Sequence, residues 1–297
     1  LLRIHDNADA SFKKLSFLLE NPPFPPATFP NLLILYCQRG YYGVAADILA
    51  ENSNLTFDLL DQETYDFLDA SIMIPTNPGE AIKKFETLSK KYGTSIRELK
   101  KDLEETKSCG NKEAMDIVMA ELKCQMDVFM PVMMAQANIL WDLEDYAMVE
   151  YLLLQNAELC DDRYEWKLNL AHALFVQQGP KFKESIEYYE PYVHDKGANT
   201  LLDVSPIVLA NLCVAYIMAN RNEEAEDIME QVEKQEAVST RRKNNDDENV
   251  ADKSFPSEMH HSCIVNLVIG TLYCEKGNFE FGISRICKSL EPLTSKL

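Results

Sequence analysis

The sequence predicts an all-α chain of stacked antiparallel helix pairs. Three observations carry that reading. A spacing of large, aromatic and small residues recurs along the chain. Turn-forming residues fall at the same place in each recurrence. The apolar runs between them are too short for a membrane span. The stretch IVNLVIGTLYCEKGNFEFGISRI, Ile264 to Ile286, shows all three. Its first ten residues carry no charge, well short of the ~18 needed to cross a bilayer. Its glycines match neither phosphate-cradling pattern. Tyr273, Gly277, Phe279, Gly282 and Ile286 instead read as a helix end, a turn, and a second helix with a small residue at its closest approach.

The same spacing returns at Tyr36, Gly40, Tyr42, Ala45 and Leu49, and at Leu140, Tyr146, Val149 and Leu153, with Val149 larger than the position prefers. Tyr216, Ala225 and Met229 fit with Asn222 in the aromatic place. Ile72, Ala81 and Phe85 fit with Pro78 there. Phe175, Phe182, Ser185 and Tyr189 fit if Gln178-Gly179-Pro180 holds one extra residue. This is the tetratricopeptide pattern of about 34 residues, a helix pair whose small residue lets two helices approach and whose large residues fill the groove to the next pair. The expected architecture is a tetratricopeptide-repeat superhelix, or α-solenoid. Breaks are expected near Gly40, Pro78, Glu144, Gly179, Asn220 and Gly277.

The small positions 45, 81, 149, 185, 225 and 282 give steps of 36, 68, 36, 40 and 57 residues. The 68-residue step implies a further pair between, using a helix from Ala114 to Met130. The 57-residue step matches an insert, Gln235 to Ser257, with few large apolar residues. Such a stretch buries too little surface to offset its ordering entropy and is expected to be a disordered loop. Before the array, residues 1–20 should hold a short amphipathic helix from about Ser11. Residues 21–30 carry five prolines, which exclude a helix and read as a rigid connector. The repeats are expected at 31–234 and again at 258–297, where the array continues beyond the chain.

With 48 acidic against 29 basic residues the net charge is −19. That excludes nucleic acid as the natural partner, since phosphates need Lys and Arg, and disfavours an anionic membrane surface. No basic-then-apolar signal segment or membrane insertion is expected. Of the eight cysteines none forms C-x-x-C, and several sit in helical apolar patterns, so a reducing compartment without disulfides is expected. The sequon Asn54-Leu55-Thr56, the basic triplet Arg241-Arg242-Lys243 and the final Ser295-Lys296-Leu297 are read as chance matches. His260-His261-x-Cys263 lacks the second pair of a closed zinc site and reads as a helix start with two surface histidines. His172 reads as a packed mid-helix residue, and Asp161-Asp162 and Asp246-Asp247 as solvated turns. No nucleophile, acid–base or cofactor constellation is present, so an enzyme is not expected.

The first helix of each pair lines the inner surface of such an array, and period 3.6 decides which side chains share that face. The register assigns Ile34, with Ala27, Pro30 and Cys37, to the first pair. It assigns Met134, Asn138 and Trp141, with Pro131, to the third, and Trp166 and Asn169, with Ala173 and Val176, to the fourth. Ile207, Ala210, Val214 and Ile217 follow, then Ile264, Leu267 and Thr271 with Cys274. These are expected to line one continuous, largely apolar wall covered by an extended partner segment, with Asn138 and Asn169 bonding its backbone. A groove for a terminal carboxylate would show Lys and Arg instead.

Several stretches carry a specific resemblance: YYGVAADILAENSNLT (Tyr41 to Thr56), VMMAQANILWDLEDYAMVE (Val132 to Glu150), WKLNLAHALF (Trp166 to Phe175), IVLANLCVAYIM (Ile207 to Met218) and CIVNLVIGTLYCEKGNFEFGISR (Cys263 to Arg285). From about Phe29 onward the chain resembles a middle portion of the tetratricopeptide repeat protein 30 family, that is, the intraflagellar transport protein 70 family. The match is weakest over Ser71 to Met130 and over the insert. The resemblance implies a non-enzymatic scaffold of complex B, at the cilium and its base on the cytoplasmic side, without cofactors. It implies wrapping of a segment of intraflagellar transport protein 52, contacts with other complex B subunits, and links to kinesin-2 motility and tubulin polyglutamylation. The competing reading is a general peptide-binding tetratricopeptide adaptor, such as a chaperone cofactor or the scaffold of another complex.

Overall fold

The structure, a computed structural model, describes residues 8–160, 162–195, 200–246 and 261–294. Every regular element among them is helical, fifteen α-helices and one short 3-10 turn. The chain divides into two compact units, Leu1–Asp145 and Tyr146–Leu297.

Unit 1 holds α1 (Ala8–Glu20), α2 (Thr28–Gln38), α3 (Tyr42–Glu51), α4 (Ser53–Leu59), α5 (Gln62–Met73), α6 (Pro78–Ser108) and α7 (Lys112–Asp142). α1 lies on α2, with Phe12 edge-on to Tyr36 at 4.4 Å between ring centroids. Phe29, Leu33, Cys37, Ala45 and Leu68 form the core shared by α2, α3 and α5. The proline-rich stretch ends earlier than expected, because Thr28, Phe29 and Pro30 already form the first turn of α2. A proline is tolerated there because first-turn N–H groups have no intrahelical acceptor.

The expected extra pair between positions 81 and 149 is absent. α6 and α7 are 31 residues each, so the long step comes from two lengthened helices, with one turn between them at Cys109, Gly110 and Asn111. Asn111 Oδ1 caps α7 by accepting from the Ala114 N–H at 3.2 Å. Buried Ala81, Phe85, Leu88, Tyr92 and Ile96 on α6 lie three or four residues apart, as do Met126, Phe129 and Met133 on α7. That spacing is the seam of a two-helix coiled coil. α7 also runs through Pro131, where a helix end was expected.

Unit 2 holds α8 (Tyr146–Gln155), α9 (Ala157–Cys160), α10 (Tyr164–Gln177), α11 (Lys181–Asp195), the turn Leu201–Asp203, α12 (Pro206–Met218), α13 (Asn222–Asp246), α14 (His261–Glu275) and α15 (Phe279–Thr294). Its core runs through α10 to α14 and includes Tyr189, Leu209, Leu212, Cys213 and Val232. The insert is corrected in its first part. α13 continues to Asp246, so residues 235–246 are helical; 247–257 lie outside the described residues. Two anchors hold the extension near its start. Gln235 Oε1 accepts from the Leu201 N–H at 2.7 Å, and Glu236 Oε1 from the Ser262 N–H at 3.2 Å.

All six small positions are buried: Ala45, Ala81, Val149, Ser185, Ala225 and Gly282. At the last of these two backbones touch. A Cβ on Gly282 would lie 2.7 Å from the Gly270 carbonyl oxygen and 2.5 Å from Cys274 Sγ, and one on Gly270 would lie 2.8 Å from the Gly282 oxygen. The chain turns between helices at all six expected places. Four turns share one closure. The N–H five residues after the large residue bonds that residue's carbonyl: Tyr41 to Tyr36, Asp145 to Leu140, Arg221 to Tyr216 and Asn278 to Tyr273, at 2.8 to 3.0 Å. The residue just before each donor is left-handed: Gly40, Glu144, Asn220 and Gly277. This is the Schellman end, which satisfies a carbonyl that the helix leaves open.

Polar seams run beside these contacts. Glu150 takes Lys181 Nζ at 2.7 Å and Gln177 Nε2 at 2.8 Å, tying α8 to α10 and α11. Glu233 takes Lys288 Nζ at 2.6 Å and Asn266 Nδ2 at 3.3 Å, tying α13 to α14 and α15. Burial pushes the Glu233 carboxyl up, but the Lys288 and Asn266 hydrogen bonds and the nearby Arg285 charge outweigh it and hold the group below its ordinary range.

Three outcomes follow from these contacts. Glu144 has a left-handed φ of 59°, so Glu144→Gly should raise the unfolding free energy by about 0.5–1 kcal/mol in urea melts. Gly282→Ala should cost about 1–3 kcal/mol, because the facing backbone must move. A carboxylate with a depressed native pKa stabilises the fold above its unfolded pKa of about 4.3. That contribution is lost as pH falls through the lower native value. Urea midpoints measured from pH 6 down to 3 should therefore fall less in Glu233→Gln than in the parent chain.

Candidate partner-binding surface

The residues assigned to the inner wall divide by burial. On α12, Ile207 is 56% exposed, while Ala210, Val214 and Ile217 belong to the core. On α10, Asn169 is exposed but Trp166 is buried. The Trp166 indole N–H donates to the Leu153 carbonyl at 2.8 Å, and its ring meets Tyr188 edge-on. On α14, Leu267 and Thr271 are exposed and Ile264 is half-buried. Trp166, Ala210, Val214 and Ile217 thus join helices to one another in this chain. A carboxylate placed at Ala210 would disturb folding before it could report on a partner.

In unit 1, α7 carries its assigned residues on one side: Pro131 and Asn138 are exposed, Met134 and Trp141 half-buried. Ile34 of α2 is half-buried against the core of that unit. The α7 face belongs to unit 1, and the faces of α10, α12 and α14 belong to unit 2.

The exposed stripes of unit 2 can be read from burial. They are Glu165 and Asn169 with half-buried His172 and Val176 on α10; Ile207 and Met218 with half-buried Asn211 on α12; and Leu267 and Thr271 with half-buried Ile264 and Cys274 on α14. They contain no Lys or Arg. The centre of the α12 stripe lies one residue beyond the expected Ala210, at Asn211. The signal was present in PIVLANLCVAYIM, where Asn211 is the one amide in an otherwise apolar helix. Asn211 donates from Nδ2 to Tyr189 Oη at 3.4 Å, and His172 Nδ1 lies 2.6 Å from the same oxygen. Burial pushes the His172 pKa down and the Tyr189 pKa up.

The other candidate groups take structural places. His261 Nε2 bonds the Val204 carbonyl at 2.8 Å, so it is held in packing at the start of α14 instead of lying free on the surface. His260, His5, Asp161, Asp247 and the final tripeptide lie outside the described residues. Among the described residues no three His, Cys, Asp or Glu side chains group as metal ligands, and no helix is long and apolar enough to cross a membrane. Buried Cys37 and Cys213 have thiols pushed up to about 12 by desolvation, as expected of unreactive core residues.

Residues 28–297 match the Intraflagellar transport protein 70 C-terminal domain. Over its whole length the chain is 48% identical to Intraflagellar transport protein 70A of Homo sapiens. It is 46% identical to Intraflagellar transport protein 70A of Xenopus tropicalis and to Intraflagellar transport protein 70B of Homo sapiens. It spans 43–44% of the length of these relatives. With the domain match running through both helical units and near-half identity along every residue, the chain belongs to the intraflagellar transport protein 70 family.

Proposed function

We propose that the chain is part of a non-enzymatic scaffold subunit of the intraflagellar transport B complex, acting in anterograde ciliary transport and cilium assembly at the cilium and its base. In this reading the exposed stripes of α10, α12 and α14 hold an extended segment of a partner, intraflagellar transport protein 52. The α7 face of unit 1 offers a second surface to complex B subunits. The observation that carries the reading is the pairing of family membership with Ile207 and Leu267. These are large apolar side chains, 56% and 46% exposed, on the outward faces of α12 and α14, and Met218 on α12 is exposed as well. Covering apolar surface returns roughly 25 cal/mol per Å². The alternative, a general adaptor that grips a terminal carboxylate, would need basic side chains that these stripes lack. Kinesin-2 and tubulin polyglutamylation enter only through the family and involve no residue discussed above.

The test is co-expression of the chain with intraflagellar transport protein 52, followed by affinity capture. Ile207→Glu and Leu267→Glu place a charge on solvent-facing positions and should leave helicity intact. Each should weaken capture on the order of 100-fold, because an unpaired carboxylate covered by a partner costs several kcal/mol. Parental affinity in both variants would mean that the segment does not run along α12 and α14.

A further inference from the structure

Unit 2 contains a chain of hydrogen bonds that ends at its surface. Tyr189 is fully buried on α11, and its hydroxyl meets His172 Nδ1 of α10 at 2.6 Å and Asn211 Nδ2 of α12 at 3.4 Å. An amide nitrogen can only donate, so Tyr189 Oη accepts from Asn211. The buried hydroxyl proton needs an acceptor of its own, and of the two groups bonded to that oxygen only His172 Nδ1 can take it. Burial lowers the His172 pKa and keeps the ring neutral near pH 7. A neutral imidazole that accepts at Nδ1 carries its proton on Nε2.

Each end of the chain therefore has one polar atom to spare, a donor at His172 Nε2 and an acceptor at Asn211 Oδ1. Among the described residues the one buried side-chain polar atom lacking a partner is Gln136 Oε1, so neither spare atom is sealed in the core. His172 and Asn211 are half-buried. Asn169, three residues before His172, and Ile207, four before Asn211, are exposed, and residues so spaced share a helix face. The spare donor and acceptor thus open on the mixed stripe of α10 and the largely apolar stripe of α12. An extended chain turns the N–H and C=O of one residue to the same side, as a strand does toward its neighbour.

We propose that His172 and Asn211 clamp the backbone of one residue of the bound segment. His172 Nε2–H donates to its carbonyl, Asn211 Oδ1 accepts from its N–H, and Tyr189 holds both side chains in place. The clamp selects an extended protein segment with a non-proline residue at that point, since proline has no N–H to offer. It rests on the groove reading above and adds the polar contact that fixes the register of an otherwise apolar segment.

The test measures the affinity of the chain for intraflagellar transport protein 52 by calorimetry in five forms: parental, Asn211→Leu, His172→Leu, His172→Gln and Leu267→Glu. Asn211→Leu and His172→Leu should each weaken binding about tenfold, the loss expected for one hydrogen bond in a covered site. His172→Gln should stay near parental, because its amide N–H reaches the place of Nε2–H. Parental affinity in Asn211→Leu and His172→Leu, with Leu267→Glu abolishing binding, overturns the clamp and leaves the groove standing. Parental affinity in Leu267→Glu overturns the groove and the clamp with it. If a leucine variant fails to fold, Asn211→Ala and His172→Gln decide. A parental Asn211→Ala, or a His172→Gln as weak as a folded His172→Leu, overturns the clamp.

Discussion

The constraint on which the rest depends is the closure of the first helix in four of the six pairs. A helix leaves its last carbonyls without partners, and a buried carbonyl without one is costly. Here the fifth N–H after Tyr36, Leu140, Tyr216 and Tyr273 returns to that residue's own carbonyl. This works only if the intervening residue takes a left-handed backbone. Once it does, the next helix must fold back along the first. The small residue of the second helix then falls where the two axes come closest, and the large residues fall on either side. At Gly270 and Gly282 the approach is so close that a Cβ on either would meet the other's carbonyl oxygen, with the Ile286 and Cys274 side chains beside it.

Between pairs a different physics operates. Apolar packing sets the distance, but it is non-directional and would tolerate sliding. The polar seams remove that freedom. Glu150 and Glu233 are each held by residues from two other helices. Tyr216 bonds Glu190 at 2.7 Å, and Arg221 lies over the Tyr216 ring while pairing with the same carboxylate. Partly buried ion pairs of this kind contribute little net free energy. Their value here is directional, because a shift of one helix by one residue would strand a charge.

What was legible in the sequence follows this division. Turn chemistry and the small positions are local and period-bound, and the six breaks and six buried small residues lie where the spacing put them. Helix length is less local. Nothing between Ala81 and Ser108 ends α6, so the 68-residue step suggests a hidden pair where the chain has two helices of 31 residues. Lateral burial is the least local of all. Ala210 and Asn211 differ by 100° around α12, and only the elements beside α12 decide which of them faces out. The stretch after Lys234 departs from its expected loop for the same reason. Its composition is poor for a core, yet Gln235 and Glu236 find backbone donors on distant segments.

The α6–α7 hairpin carries a consequence for how such a fold can change. Its two arms lengthen together, and each added residue on one is matched by one on the other, about 1.5 Å at a time. Because the seam repeats every seven residues, a matched insertion of whole heptads in both arms would leave Ala81 and Leu140 in their present surroundings. The turn at Cys109, Gly110 and Asn111 would simply move outward. The hairpin is therefore a site where chain length is decoupled from repeat register. An array of this kind can gain or lose some 14 residues there without any other helix pair being renumbered in space.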